Sequence, residues 1–285
     1  ETHKNNGTGY AALRVPYRLG RDLFAIDPRL ESIARKKQGQ TTGRSRPPYF
    51  DVPLGGELVW LAPIRTQPRR TYDSYKLDFS PEGEHTPYLI KKLLAILTGQ
   101  QRKQSERFIE FIEKFGNDSG LFRSVSVKHY GSKTSTSPFE LDIVLTRVPL
   151  SVDNVGYGIS QVLPLIVELF NRPPMTWFSM QQPEIHMHPR AQAALGELVF
   201  ELAALENKRF LVETHSDYAI DGFRLRSKRT TAERRPDSQI IFFEREEDGN
   251  RLSEIGISQD GEIAENQPNA YREFFVGHQM RLLGL

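Results

Sequence analysis

The chain has 285 residues, of which 38% are hydrophobic, with 38 basic side chains against 36 acidic ones and a formal net charge of +2. No apolar run approaches the roughly 18 residues that a bilayer crossing needs, and the first residues carry neither the basic nor the apolar region of a secretory signal. The absence of cysteine removes disulfides, thiolate metal sites and cysteine nucleophiles. A cytoplasmic protein with no membrane contact is expected, and the near-neutral balance gives no global attraction to nucleic acid.

Charge is nevertheless uneven. Arg224, Arg226, Lys228, Arg229, Arg234 and Arg235 crowd one stretch, and Arg35, Lys36, Lys37, Arg44 and Arg46 another. Such runs are either solvated surface or contacts to a phosphate backbone, DNA or RNA.

In chain order, residues 11–18 suit a strand and 23–33 a short helical piece, and 38–48 form an exposed Gly/Thr/Arg/Pro loop. The loop holds Gly39-Gln-Thr-Thr-Gly43-Arg44-Ser45. This is not a P-loop, because the spacer is one residue short, Arg replaces Lys, and no buried strand precedes it. Residues 57–63 read as a buried strand that runs into the basic turn Ile64 to Arg70. Residues 86–98 and 105–115 form an amphipathic helical pair, with Thr86 and Ser105 as caps. Residues 121–130 and 139–148 alternate as the strands of a hairpin with a polar connection.

A helix then starts near Ser160 and ends before Pro173. Gly156-Tyr-Gly158-Ile-Ser160-Gln161 therefore sits at its N-terminus, where free N–H groups and the positive end of the helix dipole favour an anion. Residues 175–180 are a short apolar strand that opens into the polar turn Gln181-Gln182-Pro-Glu184-Ile-His186-Met-His188-Pro189. A helix over 190–205 follows. A second buried strand over 208–212 ends in Glu213-Thr-His215-Ser-Asp217, before a helix from Tyr218. Strand, helix, strand with polar C-terminal ends is a βαβ unit, and ligands of parallel sheets bind beyond those ends. Residues 239–244 and 252–257 are further strands, and 266–285 an aromatic tail.

Three chemistries compete for these polar turns. Glu184, His186, His188 and His215 could ligate zinc, although HEXXH spacing is absent. Ser160 or Ser216 with His215 could act as a hydrolytic pair, but the sequence reads GYGIS rather than GxSxG. Nucleotide hydrolysis accounts for more at once, since it needs a strand-end carboxylate near Mg2+, a group that positions water and a sensor of the γ-phosphate.

Three ordered motifs carry a resemblance. Val155-Gly-Tyr-Gly-Ile-Ser-Gln-Val-Leu-Pro164, Gln182-Pro-Glu-Ile-His-Met-His-Pro189 and Val212-Glu-Thr-His-Ser216, with Leu61-Ala-Pro-Ile-Arg65 and the aromatic tail, resemble the C-terminal half of an ABC-class P-loop ATPase of the RecF/SMC/OLD-like kind. More narrowly, they are similar to bacterial AAA-family ATPases of anti-phage systems, found beside nuclease partners. The likeness covers about residues 57–285. It implies an α/β P-loop NTPase fold with a mainly parallel sheet, a small helical pair and a β-hairpin insertion. Residues 1–150 would form lead-in strands and the helical and hairpin subdomain, and 151–285 the ATPase lobe with its tail.

The resemblance also implies a mechanism. Two such domains pair head to tail as a homodimer or higher oligomer and sandwich ATP and Mg2+, under control of or controlling a nuclease or other effector. Gly156, Gly158, Ser160 and Gln161 would form the signature loop that meets the partner's nucleotide. Gln181, Gln182 and Glu184 would form the catalytic turn, with His215 as the γ-phosphate switch. The phosphate-gripping loop would precede every motif here and is expected outside these residues. Gln181 stands where a carboxylate should hold the Mg2+ water. Such an exchange traps ATP when introduced by design and silences a site when natural. The other readings are an ATPase-fold scaffold without activity and a DNA-repair clamp, the latter weakened by the lack of a long heptad coiled coil.

Overall fold

The computed structural model describes residues 57–73, 76–95, 99–131, 137–247, 249–258, 260–263, 268, 269 and 271. The expected elements at 11–18, 23–33 and 38–48, the second basic stretch and almost all of the aromatic tail lie outside these residues.

The centre is a parallel three-stranded sheet in the order β1 (Leu58–Leu61), β5 (Trp177–Gln181) and β6 (Arg209–Glu213). Leu61 pairs with Met180, and Gln181 with Glu213, so the three C-terminal ends lie side by side. Strand β1 precedes residue 150 and its partners follow it, so the sheet crosses the expected domain boundary. A second, antiparallel sheet comprises β2 (Ser124–His129), β3 (Phe139–Val144) and β4 (Pro149–Ser151), a hairpin with a third strand that the alternation pattern did not show. Strands β7 (Gln239–Glu246) and β8 (Gly249–Gly256) pair antiparallel.

Helix α1 (Thr86–Leu93) begins at the expected residue, with His85 rather than Thr86 in the cap position and Pro87 in the first turn. Helix α2 (Gln100–Ser119) is longer than its apolar face announces. Its first turn is polar and exposed, made of good helix formers that need no buried partner. Helix α3 (Tyr157–Asn171) is the core element, with residues 159–169 all buried, Pro164 included. Its apolar side chains pack on Phe178 and Met180 of β5 and on Ile90, Phe108 and Ile112 of the helical pair in one cluster.

Helices α4 (Pro189–Glu206) and α5 (Asp217–Lys228) follow β5 and β6 and cross closely. A Cβ at Gly196 would lie 1.9 Å from the Ala219 carbonyl oxygen, and one at Gly222 2.1 Å from that of Ala193. Each helix thus presents a glycine to the other's backbone, and this fixes where α5 starts relative to the turn after β5. Among the described residues no helix is long and apolar enough to cross a membrane.

Candidate nucleotide half-site

The sheet register gathers the turn after β1, the turn after β5, the turn after β6 and the first turn of α3 at one edge. Buried polar contacts join them. The Arg65 N–H donates to Gln161 Oε1 at 3.0 Å, Gln161 Nε2 donates to the Arg65 carbonyl at 3.2 Å, and Arg65 Nη1 donates to the Gln161 carbonyl at 3.1 Å. Arg65 is 3% exposed and Gln161 fully buried. Burial lowers the Arg65 pKa to about 10, partly offset by the Glu184 carboxylate, so the guanidinium remains charged at neutral pH. Its Nε and Nη2 have no partner among the described residues, and the same holds for Glu184 Oε2.

The turn after β5 is tied to the turn after β6. Gln181 Nε2 donates to Glu213 Oε2 at 3.3 Å, the Gln182 N–H to the Glu213 carbonyl at 2.8 Å, and the His215 N–H to Glu184 Oε1 at 3.0 Å. Gln182 and His186 both have positive φ, 42° and 65°, a backbone form uncommon for residues other than glycine. These values bend the chain sharply enough to bring Glu184 inward, 7% exposed, while His186, His188 and His215 stay exposed. The Ser216 side chain caps α5 by accepting from the Ala219 N–H at 3.0 Å.

Several sequence-based assignments need correction. Ser160 is the fourth residue of α3 rather than its cap, is 6% exposed, and donates its hydroxyl to the Tyr157 carbonyl at 2.8 Å. It is not displayed at the helix start. Gln161 faces the interior, and its side chain bonds to the N–H and the carbonyl of Arg65 and so braces the helix start.

The two glycines of the loop also differ. A Cβ at Gly158 would lie 2.6 Å from the His186 carbonyl oxygen, whereas one at Gly156 would meet nothing within 4 Å. Gly158 allows α3 to rest on the turn after β5, and Gly156 is the open position. The Tyr157 ring stands edge-on to His186 at 4.8 Å and helps fix that contact.

Zinc does not fit. Among the described residues no group of three or more His, Asp or Glu could hold a metal ion, because His186, His188 and His215 point outward while Glu184 turns in. A magnesium–nucleotide complex asks less, since Mg2+ keeps waters and takes its other ligands from phosphates and one or two carboxylates. Gln181 is not that carboxylate, and its amide N–H faces the acceptor-only Glu213. The half-buried Glu213, beside the Gln181 amide, does fit. Glu213 and Arg65 are the site residues that motif reading missed. Glu213 was in view as a strand-end acid, but its partner depends on register.

The basic stretch after α5 is largely engaged within the molecule. Arg224 bonds to the Gly261 carbonyl at 2.7 Å and to Asp221, Arg226 to Glu201 at 2.8 Å, Lys228 to Glu262, and Arg235 to the Thr230 carbonyl at 2.9 Å.

The family model described as "AAA domain, putative AbiEii toxin, Type IV TA system" matches residues 53–221. The OLD nuclease of Thermus scotoductus is 25% identical over 176 residues, covering 58% of this chain and 33% of that protein. The chain thus spans about a third of the length of this curated relative. Among solved structures, the SmcHead bound to the C-winged helix domain of ScpA aligns with a TM-score of 0.41 and 13% identity, over 61% of this chain and 51% of that one. An Smc head domain with an extended coiled coil, bound to the C-terminal domain of ScpA derived from Pyrococcus furiosus, gives 0.40 and 10%, over 55% and 36%. These scores are low, and the α/β fold rests instead on the sheet order and register described above.

Proposed function

The chain belongs to this AAA-domain family, within the ABC/SMC/OLD-like P-loop ATPases, and on that footing we propose that it is one half of an ATP-handling site that closes when two copies pair head to tail. The observation that carries the reading is the joining of four segments at one sheet edge. Arg65 is bonded to Gln161, Gln181 to Glu213, and Glu184 to the His215 backbone.

In this arrangement the exposed start of α3, at Gly156 and the Tyr157 N–H, meets the phosphates of a nucleotide held by the second copy. The exposed His215 ring lies on the turn after β6 and senses the γ-phosphate. Mg2+ would be held at the strand ends and would supply charge neutralisation at the phosphates. Gln182 orients water, and Glu184 acts from inside by fixing the His215 backbone. The ATP-driven pairing controls a nuclease or other effector in anti-phage defence, a role supported by the OLD nuclease relative and the toxin–antitoxin family description. Because four cations of the basic stretch already have acidic or carbonyl partners, a role in gripping DNA or RNA receives little support.

Sedimentation velocity of the full-length protein with and without Mg-ATP tests the proposal. ATP should shift the protein to at least a dimer, and His215→Ala should abolish the shift while leaving the melting temperature unchanged. A sedimentation profile indifferent to Mg-ATP would favour the second reading, an ATPase-fold scaffold. That reading draws on the Gln181-Gln182 pair, in which the neutral amide of Gln181 stands where a carboxylate is expected.

A further inference from the structure

Strand β5 ends without a carboxylate, yet a carboxylate is present at its end. In the parallel register Glu213 of β6 lies directly across from Gln181. Neighbouring strands are about 4.8 Å apart, and the two side chains meet, with Gln181 Nε2 donating to Glu213 Oε2 at 3.3 Å. The backbone holds the pair in place, because the Gln182 N–H donates to the Glu213 carbonyl at 2.8 Å. A carboxylate thus stands within hydrogen-bond reach of the last residue of β5 although it belongs to β6.

The neighbouring carboxylates differ in access. Glu184 is buried, 7% exposed, and one of its oxygens holds the His215 N–H. Asp217 lies on the first turn of α5, beyond the strand end, where Asp221 repels its charge. Glu213 is half-buried and still has Oε1 for a ligand, and the Gln181 amide, which donates through nitrogen, keeps its own oxygen as a neutral second donor.

We propose that Glu213 supplies, from β6, the carboxylate for the nucleotide-bound Mg2+ that Gln181 cannot supply from β5. This inference rests on the ATPase reading above and adds to it which residue holds the metal. Gln181 then has a definite task. It orients the Glu213 carboxylate through its amide N–H and completes a mixed carboxylate–amide pair of lower charge than two acids would give.

Relocating the charge provides the test. ATP affinity of the full-length protein is measured by equilibrium binding with Mg2+ and with chelator, and Mn2+ is used as a spectroscopic substitute, its electron paramagnetic resonance reporting the bound ion directly. In the wild type, Mg2+ should strengthen ATP binding. Glu213→Gln should remove at least tenfold of that gain, read as the ratio of ATP affinity with Mg2+ to that with chelator in the same variant. The swapped variant Gln181→Glu with Glu213→Gln should recover the gain, and this also serves should the single variant fold poorly. Gln181→Glu alone places two carboxylates in contact and should bind Mn2+ even without nucleotide. If Glu213→Gln retains the wild-type metal dependence, or the swap fails to recover it, the assignment of Glu213 is overturned while the ATPase reading stands. If the wild type binds no Mg-ATP, both are overturned.

Discussion

Gln161 offers the sharpest test of how the site is held together. It is fully buried, and its side chain satisfies the N–H and the carbonyl of one residue, Arg65, at 3.0 and 3.2 Å. Gln161→Leu keeps the volume but leaves both backbone groups without partners away from water. Each orphaned group costs about 1–3 kcal/mol, and the added apolar surface returns part of that, so a net loss of about 2–4 kcal/mol is expected. The Arg65 guanidinium would still reach the Gln161 carbonyl through Nη1, so the helix should stay in place while its brace weakens. Urea unfolding followed by circular dichroism gives the number, provided the slope with urea is unchanged. A loss under about 0.5 kcal/mol, typical of surface substitutions, would refute the account of Gln161 as a brace and return it to the list of ligand contacts.

Two further outcomes follow from the same geometry. Gly158→Ala forces a Cβ to 2.6 Å from the His186 carbonyl oxygen and should cost about 1–3 kcal/mol in urea unfolding. Gly156→Ala, with nothing within 4 Å and φ of −57°, should leave stability alone and alter only nucleotide-dependent pairing. Asp217 has its pKa raised to about 6 by burial first and by Asp221 second, against the favourable N-terminal dipole of α5. Raised above its unfolded value, it makes the fold bind more protons than the unfolded chain between about pH 4 and 6, so stability should fall as pH rises through that window. Asp217→Asn should remove this slope and stabilise the protein at pH 7.5 by about 1 kcal/mol, the shift being discounted for partial exposure. Urea midpoints at pH 4.5 and 7.5 check both statements.

Much of the fold was readable because the strongest elements carry their own periodicity. Leu89, Ile90 and Leu93 mark the buried face of α1, and the continuous apolar run from Val162 to Val167 marks a helix buried all round. The extra turn at the start of α2 was not readable, since residues 100–104 are polar on every face and exposed or nearly so. The candidate site was legible as the polar turns Gln181–Pro189 and Glu213–Asp217 after apolar strands, which βαβ geometry places together, with the Gly156–Gln161 helix entry before an apolar helix. What each side chain does there was not. Gln161 finds Arg65 at a separation of 96 residues and Gln181 finds Glu213 at 32, and neither pairing follows from local spacing. Ser160 was misjudged for a smaller reason. The helix begins three residues earlier than its apolar pattern suggests, and this turns the hydroxyl from the cap into the wall.

The way α3 is fastened constrains how such a site can work. At its start, Gln161 is bonded to the residue following β1. Near its end, Glu168 accepts from His85 Nε2 at 2.7 Å and from Arg172 Nε at 2.6 Å, and Arg172 reaches on to Glu57 beside β1. The Ser80 N–H donates to His85 Nδ1 at 3.1 Å, which leaves Nε2 to donate to Glu168. Burial alone would raise the Glu168 pKa, but the His85 and Arg172 hydrogen bonds outweigh it and hold it below the usual carboxylate range. Lys208, buried just before β6, donates to the Leu169 carbonyl at 2.6 Å. The helix is therefore pinned at both ends to the sheet that carries Gln181 and Glu213. A helix held this way cannot slide toward a nucleotide independently of β1 and β6. Movement in response to ATP must carry sheet and helix as one body, with rearrangement confined to the exposed groups at the edge, Gly156, His186 and His215.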